Sequence, residues 1–191
     1  MLNIVLFGPP GAGKGTQSKF LIDKFQLVHC STGDMLRAEM ASDSQLGHEV
    51  KQIIADGKLV GDHIVIELIR NRVSNHPDAK GFIFDGFPRT VAQAEALDSL
   101  LTELGTSISG MVSLRVPDDE LTDRLIKRGK ESGRSDDNEE TIRKRINEYN
   151  DKTLPVASYY AEQNKLSEVD GVGSIEEISE RVSSALVTAS N

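Results

Sequence analysis

Short apolar runs alternate along this chain with stretches that have apolar residues at helical spacing. Runs of strand length lie at residues 2–7, 27–31, 81–85, 110–116 and 166–170. The segments IVLF and FIF are apolar throughout, which is typical of strands buried on both faces. Strands that alternate with helices predict an α/β fold with a central parallel five-stranded sheet. In such sheets ligands bind at the carboxyl ends of the strands, so functional residues are expected directly after each run.

The segment between the second and third predicted strands is longer than one crossover helix requires. It contains three stretches with helical character: STGDMLRAEM, GHEVKQIIADG and DHIVIELIRNRV. Ser31 or Thr32 is placed to cap the first of these helices. A helical insertion is therefore predicted next to the loop that follows the first strand.

Length and charge restrict the class of protein. A chain of 191 residues is most simply one domain with inserted segments. A net charge of −8 argues against general binding of nucleic acid or anionic membranes, because both need a broad basic surface. No apolar run approaches the roughly 20 residues that cross a bilayer. The start MLNIVLFG lacks the basic segment of a signal peptide, so export is not expected.

Cysteine and histidine give no sign of a metal cluster. Cys30 is the only cysteine, which excludes a disulfide framework and a cysteine-based zinc site. The four histidines lack the spacing of metal ligands and are interpreted as surface or structural residues: His29, His48, His63 and His76. No structural zinc site is expected.

The segment GPPGAGKGT at residues 8–16 directly follows the first predicted strand. Gly8, four further residues, Gly13 and Lys14 have the spacing of a phosphate-binding loop (P-loop). In such a loop the N–H groups surround an anion, the lysine reaches the β- and γ-phosphates, and glycines allow tight turns with positive φ. All four glycines of the segment are expected to serve this purpose. The next stretch, KGTQSKFLIDKF, predicts a helix whose N-terminus also favours phosphate.

Two positions bear on a magnesium ion. Gly15 stands where many P-loops have the Ser or Thr that binds Mg²⁺, and Thr16 comes one place later, so phosphates and water are expected to hold most of the ion. FIFDGFPRT ends a predicted buried strand on Asp85, where P-loop proteins keep an acid for Mg²⁺ or metal-bound water. Asp85 is therefore the candidate magnesium residue, with water expected between its carboxylate and the ion. The alternative for Asp85 is a simple turn cap.

Arginines are concentrated in the predicted helix that follows the fourth strand and in the segment after that helix. A predicted helix, a polar segment flanked by glycines and a second helix carry four of them: Arg124, Arg128, Arg134 and Arg145. Arg37 and Arg89 follow two other predicted strands. Guanidinium groups are permanently charged bidentate donors, so their concentration in an acidic protein points to phosphoryl groups. Together with the P-loop, they predict phosphoryl transfer between two bound substrates, which needs positioning and charge more than covalent chemistry.

Several motifs resemble, in this order and along almost the whole chain, the adenylate kinase family of the short-lid type. They are GPPGAGKGTQ, STGDMLR, GKLV, DGFPRT followed by Gln93, DRLIKR, and GRSDDNEETIRKR. The resemblance implies a P-loop three-layer fold in one domain, 1–191. Its parts would be a core (1–30, 61–128 and 136–191), an NMP-binding arm (31–60) and a short lid (129–135). It implies reversible Mg²⁺-dependent transfer from ATP to AMP, giving two ADP, by a cytoplasmic monomer.

The resemblance also implies which residues form the site. The catalytic residues would be Lys14, Arg89, Arg124, Arg134 and Arg145. ATP would bind Gly11, Ala12, Gly13, Lys14, Gly15, Thr16, Arg128 and Gly173. AMP would bind Thr32, Arg37, Lys58, Leu59, Val60, Gly86, Phe87, Pro88, Arg89, Gln93, Arg134 and Arg145. Val172 and Gly173 stand where some relatives have a lysine, so the contacts to the ATP base differ from the family pattern.

Three alternatives compete with this interpretation. A uridylate/cytidylate kinase has a similar arrangement, but such enzymes tend to have alanine where this chain has Thr32. A P-loop GTPase needs an Asn-Lys-x-Asp segment, and the candidate NKLS at 164–167 ends in Ser167. A phosphate-binding module without chemistry would have no use for a lid rich in arginine. Adenylate kinase activity is therefore the prediction, with UMP/CMP kinase as the alternative.

Overall fold

A computed structural model of the chain describes residues 1–42, 44–134 and 136–189. The strands are β1 (Leu2–Phe7), β2 (Val28–Ser31), β3 (Gly81–Asp85), β4 (Gly110–Arg115) and β5 (Leu166–Asp170). The helices are α1 (Lys14–Phe25), α2 (Thr32–Ala41), α3 (Gln45–Ala55), α4 (Asp62–Ser74), α5 (Val91–Glu103), α6 (Asp118–Ser132), α7 (Glu139–Glu148), α8 (Pro155–Ala161) and α9 (Ile175–Ala189). A π-helical turn, Tyr149–Thr153, joins α7 to α8.

The strands form one parallel sheet in the order β2-β3-β1-β4-β5. Central strand β1 pairs with β3 on one side and with β4 on the other, so that Ile4 lies opposite both Ile83 and Gly110. The predicted five-stranded parallel sheet is confirmed, and the strand boundaries differ by at most one residue at β2 and β4. The chain crosses between parallel strands through helices, which therefore cover the sheet.

Alternate residues of β1 serve two separate hydrophobic clusters. Val5 and Phe7 belong to the cluster that includes residues of α4, α5 and α8. Ile4 and Leu6 belong to the cluster formed with α1 and α9. Successive side chains of a strand point to opposite faces, so the sheet is buried on both sides between two helical layers. This arrangement explains the continuous apolar character of the strand.

Helices α2, α3 and α4 form the predicted insertion. Ser31 is the N-cap of α2, and its Oγ accepts a hydrogen bond of 3.3 Å from the backbone N–H of Asp34. Apolar residues of the insertion, including Leu36, Val50 and Val60, pack into the same cluster as β3 and α5. The insertion is therefore held by core packing at its base. Its division from the core as a separate arm at 31–60 stays a prediction.

The segment predicted as a lid differs from an entirely irregular loop. Helix α6 continues to Ser132, and Gly133 ends it with a left-handed φ of 64°. Gly129 lies inside α6, where a Cβ atom would be 2.7 Å from the backbone oxygen of Asp137. Glycine at 129 thus permits the returning chain to pack against α6. Ser135, the last residue of the predicted lid, lies outside the described residues.

None of the described helices has the length and hydropathy needed to span a lipid bilayer.

Candidate functional site

A cavity at the carboxyl ends of β1, β2 and β3 collects side chains from distant parts of the sequence. Its lining includes Lys14 of the P-loop, Thr32 and Arg37 of α2, Arg89 after β3 and Arg145 of α7. The position agrees with the general rule for parallel α/β sheets. The predicted P-loop and the predicted second phosphate site therefore face one shared space.

The P-loop ends at the N-terminus of α1. Gly13 is the N-cap, with φ of 93°, and it has no side chain that could accept from the first N–H groups of the helix. The backbone oxygen of Gly13 accepts from Thr16 and Gln17, so the N–H groups of Lys14 and Gly15 precede the first helical hydrogen bond. These groups and the helix dipole make the end of α1 suited to an anion.

Gly15 differs from the prediction for the loop glycines. It lies within α1 and is not among the positive-φ glycines of the loop, which are Gly8, Gly11 and Gly13. A Cβ atom at Gly15 would lie 3.7 Å from Oδ2 of Asp85. The small residue therefore leaves space beside this carboxylate, and the expectation of a positive φ was wrong at this position.

The Lys14 side chain lies over its own loop. Its ammonium group donates hydrogen bonds to the backbone oxygens of Gly8, at 2.7 Å, and Pro9, at 3.0 Å. Burial lowers the pKa of Lys14 to about 8, and nearby arginines, Arg89 among them, contribute while Asp85 opposes the shift. Burial is the main cause of this shift, and the arginines that add to it give the region around Lys14 an excess of positive charge. Such a region favours a polyanionic ligand.

Asp85 is the acidic residue whose charge opposes the lowering of the Lys14 pKa. Its Oδ2 lies 3.6 Å from Nε2 of His29 and accepts a 3.3 Å hydrogen bond from Ser18 Oγ. Burial alone would raise the pKa of Asp85, but the contact with His29 and the charge of Lys14 hold it below its usual range. Asp85 is therefore ionised at neutral pH, as a magnesium ligand or a partner of metal-bound water must be.

His29 was interpreted from the sequence as a surface or structural residue, and its contact with Asp85 was not predicted. The only available signal was its position in β2, the strand that pairs with β3. Among the residues that the structure describes, no group of three His, Cys, Asp or Glu side chains could hold a metal ion. A single carboxylate is compatible with Mg²⁺, which commonly binds through one or two carboxylates, substrate phosphates and water.

Gly86 is the centre of the second half of the cavity. Its backbone oxygen accepts hydrogen bonds from Nε of Arg89, at 2.7 Å, and from Oγ1 of Thr32, at 2.8 Å. Gly86 has φ of 76°, and a Cβ atom there would be 2.9 Å from Nη2 of Arg89 and 3.0 Å from the Thr32 hydroxyl. Only glycine satisfies both requirements. Burial and the charges of Arg145 and Arg37 lower the pKa of Arg89 to about 10.

The lid arginines, which are Arg134 of the predicted lid and Arg128 and Arg145 on either side of it in the sequence, lie near two aspartates. Arg128 donates to both carboxylate oxygens of Asp137, and Nη1 of Arg145 lies 2.7 Å from Asp137 Oδ1 and 2.8 Å from Asp136 Oδ2. Burial and the charges of Arg37 and Arg128 lower the pKa of Arg134. Three lid arginines thus lie near the arginines of the insertion and of the loop after β3.

The two aspartates were not predicted as site residues. They lie between the polar segment and the second predicted helix, and α7 begins after both of them, at Glu139, with Asn138 as its N-cap. The signal that could have identified Asp136 and Asp137 is their place two and three residues after Arg134.

Arg124 contacts a different part of the protein. It pairs with Glu120 and donates a 3.1 Å hydrogen bond to the backbone oxygen of Gly171, in the loop after β5. Gly173 belongs to this loop, and Gln17 of α1 donates to the backbone oxygen of Ile175 at its end. Arg124 and Gly173 therefore lie on the side of the P-loop away from the insertion.

The cavity lining contains most of the residues predicted for one nucleotide and few of those predicted for the other. It contains most of the predicted AMP-binding residues: Thr32, Arg37, 58–60, 86–89, Gln93 and Arg145. Arg134 is outside this lining. Of the predicted ATP-binding residues, Lys14 belongs to the lining, whereas others do not: 11–13, Gly15, Thr16, Arg128 and Gly173.

A P-loop that shares a cavity with arginines from three other elements is the arrangement of a P-loop phosphotransferase with two substrates. Comparison with known proteins agrees. The family model described as "Adenylate kinase" matches residues 6–165. A protein named adenylate kinase from Bacteroides fragilis is 50% identical over 188 residues, which cover 98% of this chain and 100% of the relative.

Two further relatives have the same name and similar coverage. The adenylate kinase of Flavobacterium johnsoniae is 49% identical over 97% of this chain and 98% of its own length. That of Maricaulis maris is 51% identical over 97% of this chain and 98% of its own length. The chain therefore belongs to the adenylate kinase family and is a phosphotransferase. The predictions of family, fold class and enzyme function are confirmed.

Proposed function

We propose that this enzyme transfers the terminal phosphoryl group of MgATP to AMP, reversibly and without a covalent intermediate, and that the residues described above divide into a donor site and an acceptor site. The observation that carries the proposal is that arginines from separate elements lie close to the lysine of the P-loop. Arg89, Arg145 and Arg128 are all close enough to lower the pKa of Lys14. Positive charge from both halves of the cavity is the property that bringing a triphosphate and a monophosphate together requires.

The donor site would consist of the P-loop and the elements next to it. Residues 11–16 would surround the phosphates of ATP with backbone N–H groups, and Lys14 would exchange the loop carbonyls for phosphate oxygens. Arg128 would contact the phosphates from α6, next to the predicted lid. Gly173 would place its backbone beside the ATP base, a role supported by its position in a loop that contacts α1.

The acceptor site would occupy the cavity beyond the P-loop. Arg37 and Arg89 would hold the phosphate of AMP, and the backbone of 58–60 would lie along the nucleoside. Thr32 and residues 86–88 would shape the wall of the site, which the hydrogen bond from Thr32 to the backbone oxygen of Gly86 supports. Gln93 would contact the edge of the adenine base. Its amide is buried in the cavity lining, where such a contact could form.

Magnesium would enter with ATP. Asp85 would hold it through water, which its ionised state, its place at the end of β3 and the small neighbour Gly15 support. When bound, the ion supplies positive charge at the β- and γ-phosphate oxygens. Thr16 is exposed and offers a weaker alternative to the hydroxyl usually found one position earlier.

Phosphoryl transfer requires the protein to position the two nucleotides and to place positive charge around the transferred group. An AMP phosphate oxygen is already ionised, so it needs no general base. Lys14, Arg89, Arg124, Arg134 and Arg145 would stabilise the charge of the phosphoryl group as it passes between the nucleotides. The lid would exclude water, which strengthens these contacts and prevents transfer to water. The monomeric state and cytoplasmic location implied by the family resemblance stay predictions.

UMP/CMP kinase activity is the alternative. Two observations favour AMP. Thr32 lies in the cavity wall, and relatives that are about 50% identical to this chain are named adenylate kinase. If the acceptor were UMP or CMP, the residues assigned to the base would contact a pyrimidine, and the residues assigned to the phosphates would keep their roles.

The division into two sites can be tested with a ligand that joins two adenosines through a polyphosphate chain. We expect one ligand per chain in calorimetric titration and an affinity at least about 10²-fold above that of ATP or AMP, because binding of the second half becomes intramolecular. The control ligand has the same polyphosphate chain with one adenosine. Equal affinity of both ligands would contradict a pair of adjoining nucleotide sites.

A further inference from the structure

The side-chain amide of Gln93 is held at both of its polar atoms. Its Oε1 accepts a 2.7 Å hydrogen bond from the backbone N–H of Arg89, and its Nε2 donates a 2.8 Å hydrogen bond to Oδ1 of Asp62. Gln93 is 2% exposed and belongs to the cavity lining. A buried side chain with two such partners has one well-defined position.

Asp62 is itself fixed in place. It is the first residue of α4, and its Oδ2 accepts a 3.1 Å hydrogen bond from the hydroxyl of Thr90. Thr90 is the N-cap of α5, where its Oγ1 also accepts from the backbone N–H of Gln93. Asp62, Thr90 and Gln93 thus form a closed hydrogen-bonded group that joins α4 to the start of α5.

This group permits one orientation of the amide. A carboxylate can only accept, so a Gln93 oxygen turned toward Asp62 would face another acceptor. The same rotation would place the amino group against the N–H of Arg89, where donor would meet donor. Both contacts fail together when the amide turns over, and the buried groups would lose their partners.

The fixed amide retains one N–H on Nε2 and one acceptor position on Oε1 for a ligand. A 6-aminopurine such as adenine has an acceptor at N1 and donors at its 6-amino group, which complement these two positions. A 6-oxopurine has the opposite pattern, with a donor at N1 and an acceptor at O6. An amide that could rotate would serve both classes of base, whereas a fixed amide serves only one of them.

We propose that Asp62 is a positioning residue that fixes the orientation of the Gln93 amide and thereby selects 6-aminopurine monophosphates over 6-oxopurine monophosphates as phosphoryl acceptors. This inference rests on the proposed placement of Gln93 at the base of AMP. It assigns part of the base selectivity to a residue that contacts Gln93 through its carboxylate.

The test compares AMP with IMP, because their bases differ in the pattern at N1 and C6. In Asp62→Asn, the new amide can offer either its oxygen or its amino group to Gln93, so the carboxylate no longer dictates the orientation. We expect the ratio of kcat/KM for AMP to that for IMP to fall at least about tenfold, the effect of one misplaced hydrogen bond. A merely structural loss would reduce kcat/KM for both acceptors by the same factor.

Two further variants make the result specific. Asp56→Asn makes the same charge change in an exposed residue of the insertion that pairs with Lys58, and it should leave the ratio at the wild-type value. Gln93→Leu removes both polar atoms and should also lower the ratio strongly. Thr90→Val, which deletes one hydrogen bond to Asp62, should lower it by a smaller factor and provides a second test if Asp62→Asn folds poorly.

The outcomes separate this inference from the proposed function. An unchanged ratio in Asp62→Asn and Thr90→Val, with a lowered ratio in Gln93→Leu, would overturn the role of Asp62 and keep Gln93 at the base. An unchanged ratio in Gln93→Leu would remove Gln93 from base recognition, and the proposed acceptor site would then be wrong as well.

Discussion

The carboxylate of Asp137 accepts two hydrogen bonds from the guanidinium of Arg128, at 2.6 Å from Nε and 2.8 Å from Nη2. The Asp137 side chain has no exposed surface, and Arg145 contacts the same carboxylate. A protein carboxylate thus occupies donors that the proposed mechanism assigns to phosphates. Phosphoryl oxygens and Asp137 would compete for these arginines when the nucleotides bind.

Asp137→Ala should lower the free energy of unfolding by about 2 kcal/mol at neutral pH, because two arginines lose a charged partner. Burial alone would raise the pKa of Asp137, but its contacts with Arg128 and Arg145 hold it below its usual range. This stabilisation is therefore complete above about pH 4 and is lost as the pH falls through the folded-state pKa. Urea unfolding of the variant and the wild type at several pH values measures the difference.

The control for Asp137 is Glu140→Gln, which removes one partner of the exposed pair with Lys144 and should leave the unfolding midpoint unchanged. Equal stability of Asp137→Ala and the wild type at neutral pH would show that the buried carboxylate does not hold the lid.

Gly86→Ala should reduce both stability and activity. Gly105→Ala is the control, because it separates the strain of the backbone from the crowding of neighbouring side chains. Both glycines have positive φ, of 76° and 68°, so alanine strains each backbone by about 1 kcal/mol. Among the described residues, none beyond its chain neighbours would lie within 4 Å of a Cβ atom at Gly105, whereas a Cβ atom at Gly86 would crowd Arg89 and Thr32. Gly105→Ala should therefore lower only the melting temperature, and Gly86→Ala should also lower kcat/KM. Similar kcat/KM for both variants would contradict the close packing assigned to Gly86.

Lys14→Met should reduce kcat/KM by about 10² to 10³ or more, the cost of one lost donor at a transition-state charge. The folded state should not lose stability, because burial lowers the pKa of Lys14 and a charged group there is costly. Lys19→Met, an exposed change in the same helix, is the control and should retain wild-type activity. Lys14→Met with substantial turnover and an unchanged melting temperature would argue against the proposed P-loop function.

The pH profile of kcat/KM for ATP reports the protonation of Lys14 in the free enzyme. With a pKa of about 8, the ammonium form declines as the pH rises through that value, and kcat/KM should decline with it. Bound phosphates restore a high pKa, so kcat at saturating ATP should remain constant over the same range. Steady-state rates from pH 6.5 to 9.5 give both curves. A constant kcat/KM up to the highest pH would show that Lys14 stays protonated in the free enzyme.

The features that local sequence patterns determine could be predicted. The five strands, the insertion and the P-loop follow from apolar runs, helical spacing and glycine spacing, and the positions after β1, β2 and β3 had to meet at one edge of the sheet. Arg89 could be placed in the cavity because it follows a buried strand by a few residues. Each of these inferences needed only neighbours along the chain and one rule of topology.

The contacts that could not be predicted join residues far apart in sequence. Asp62 meets Gln93, and His29 meets Asp85, only through the packing of α4 against α5 and of β2 against β3. Gly129 was expected only to flank a polar segment, and its local sequence does not reveal that it lies inside α6 with Asp137 packed against it. Such contacts depend on how the helices and strands are aligned along one another when they pack, and a single sequence does not determine this alignment.

The central claim is tested most directly by ³¹P NMR of the purified protein with Mg²⁺ and ATP, supplied in separate samples with AMP, UMP, CMP or GMP. We predict rapid formation of ADP with AMP, slow reaction with the other acceptors, and ATP that stays intact when no acceptor is present. Faster reaction with UMP or CMP would contradict the acceptor assignment. Release of inorganic phosphate from ATP at the same rate with and without an acceptor would contradict phosphoryl transfer between two nucleotides.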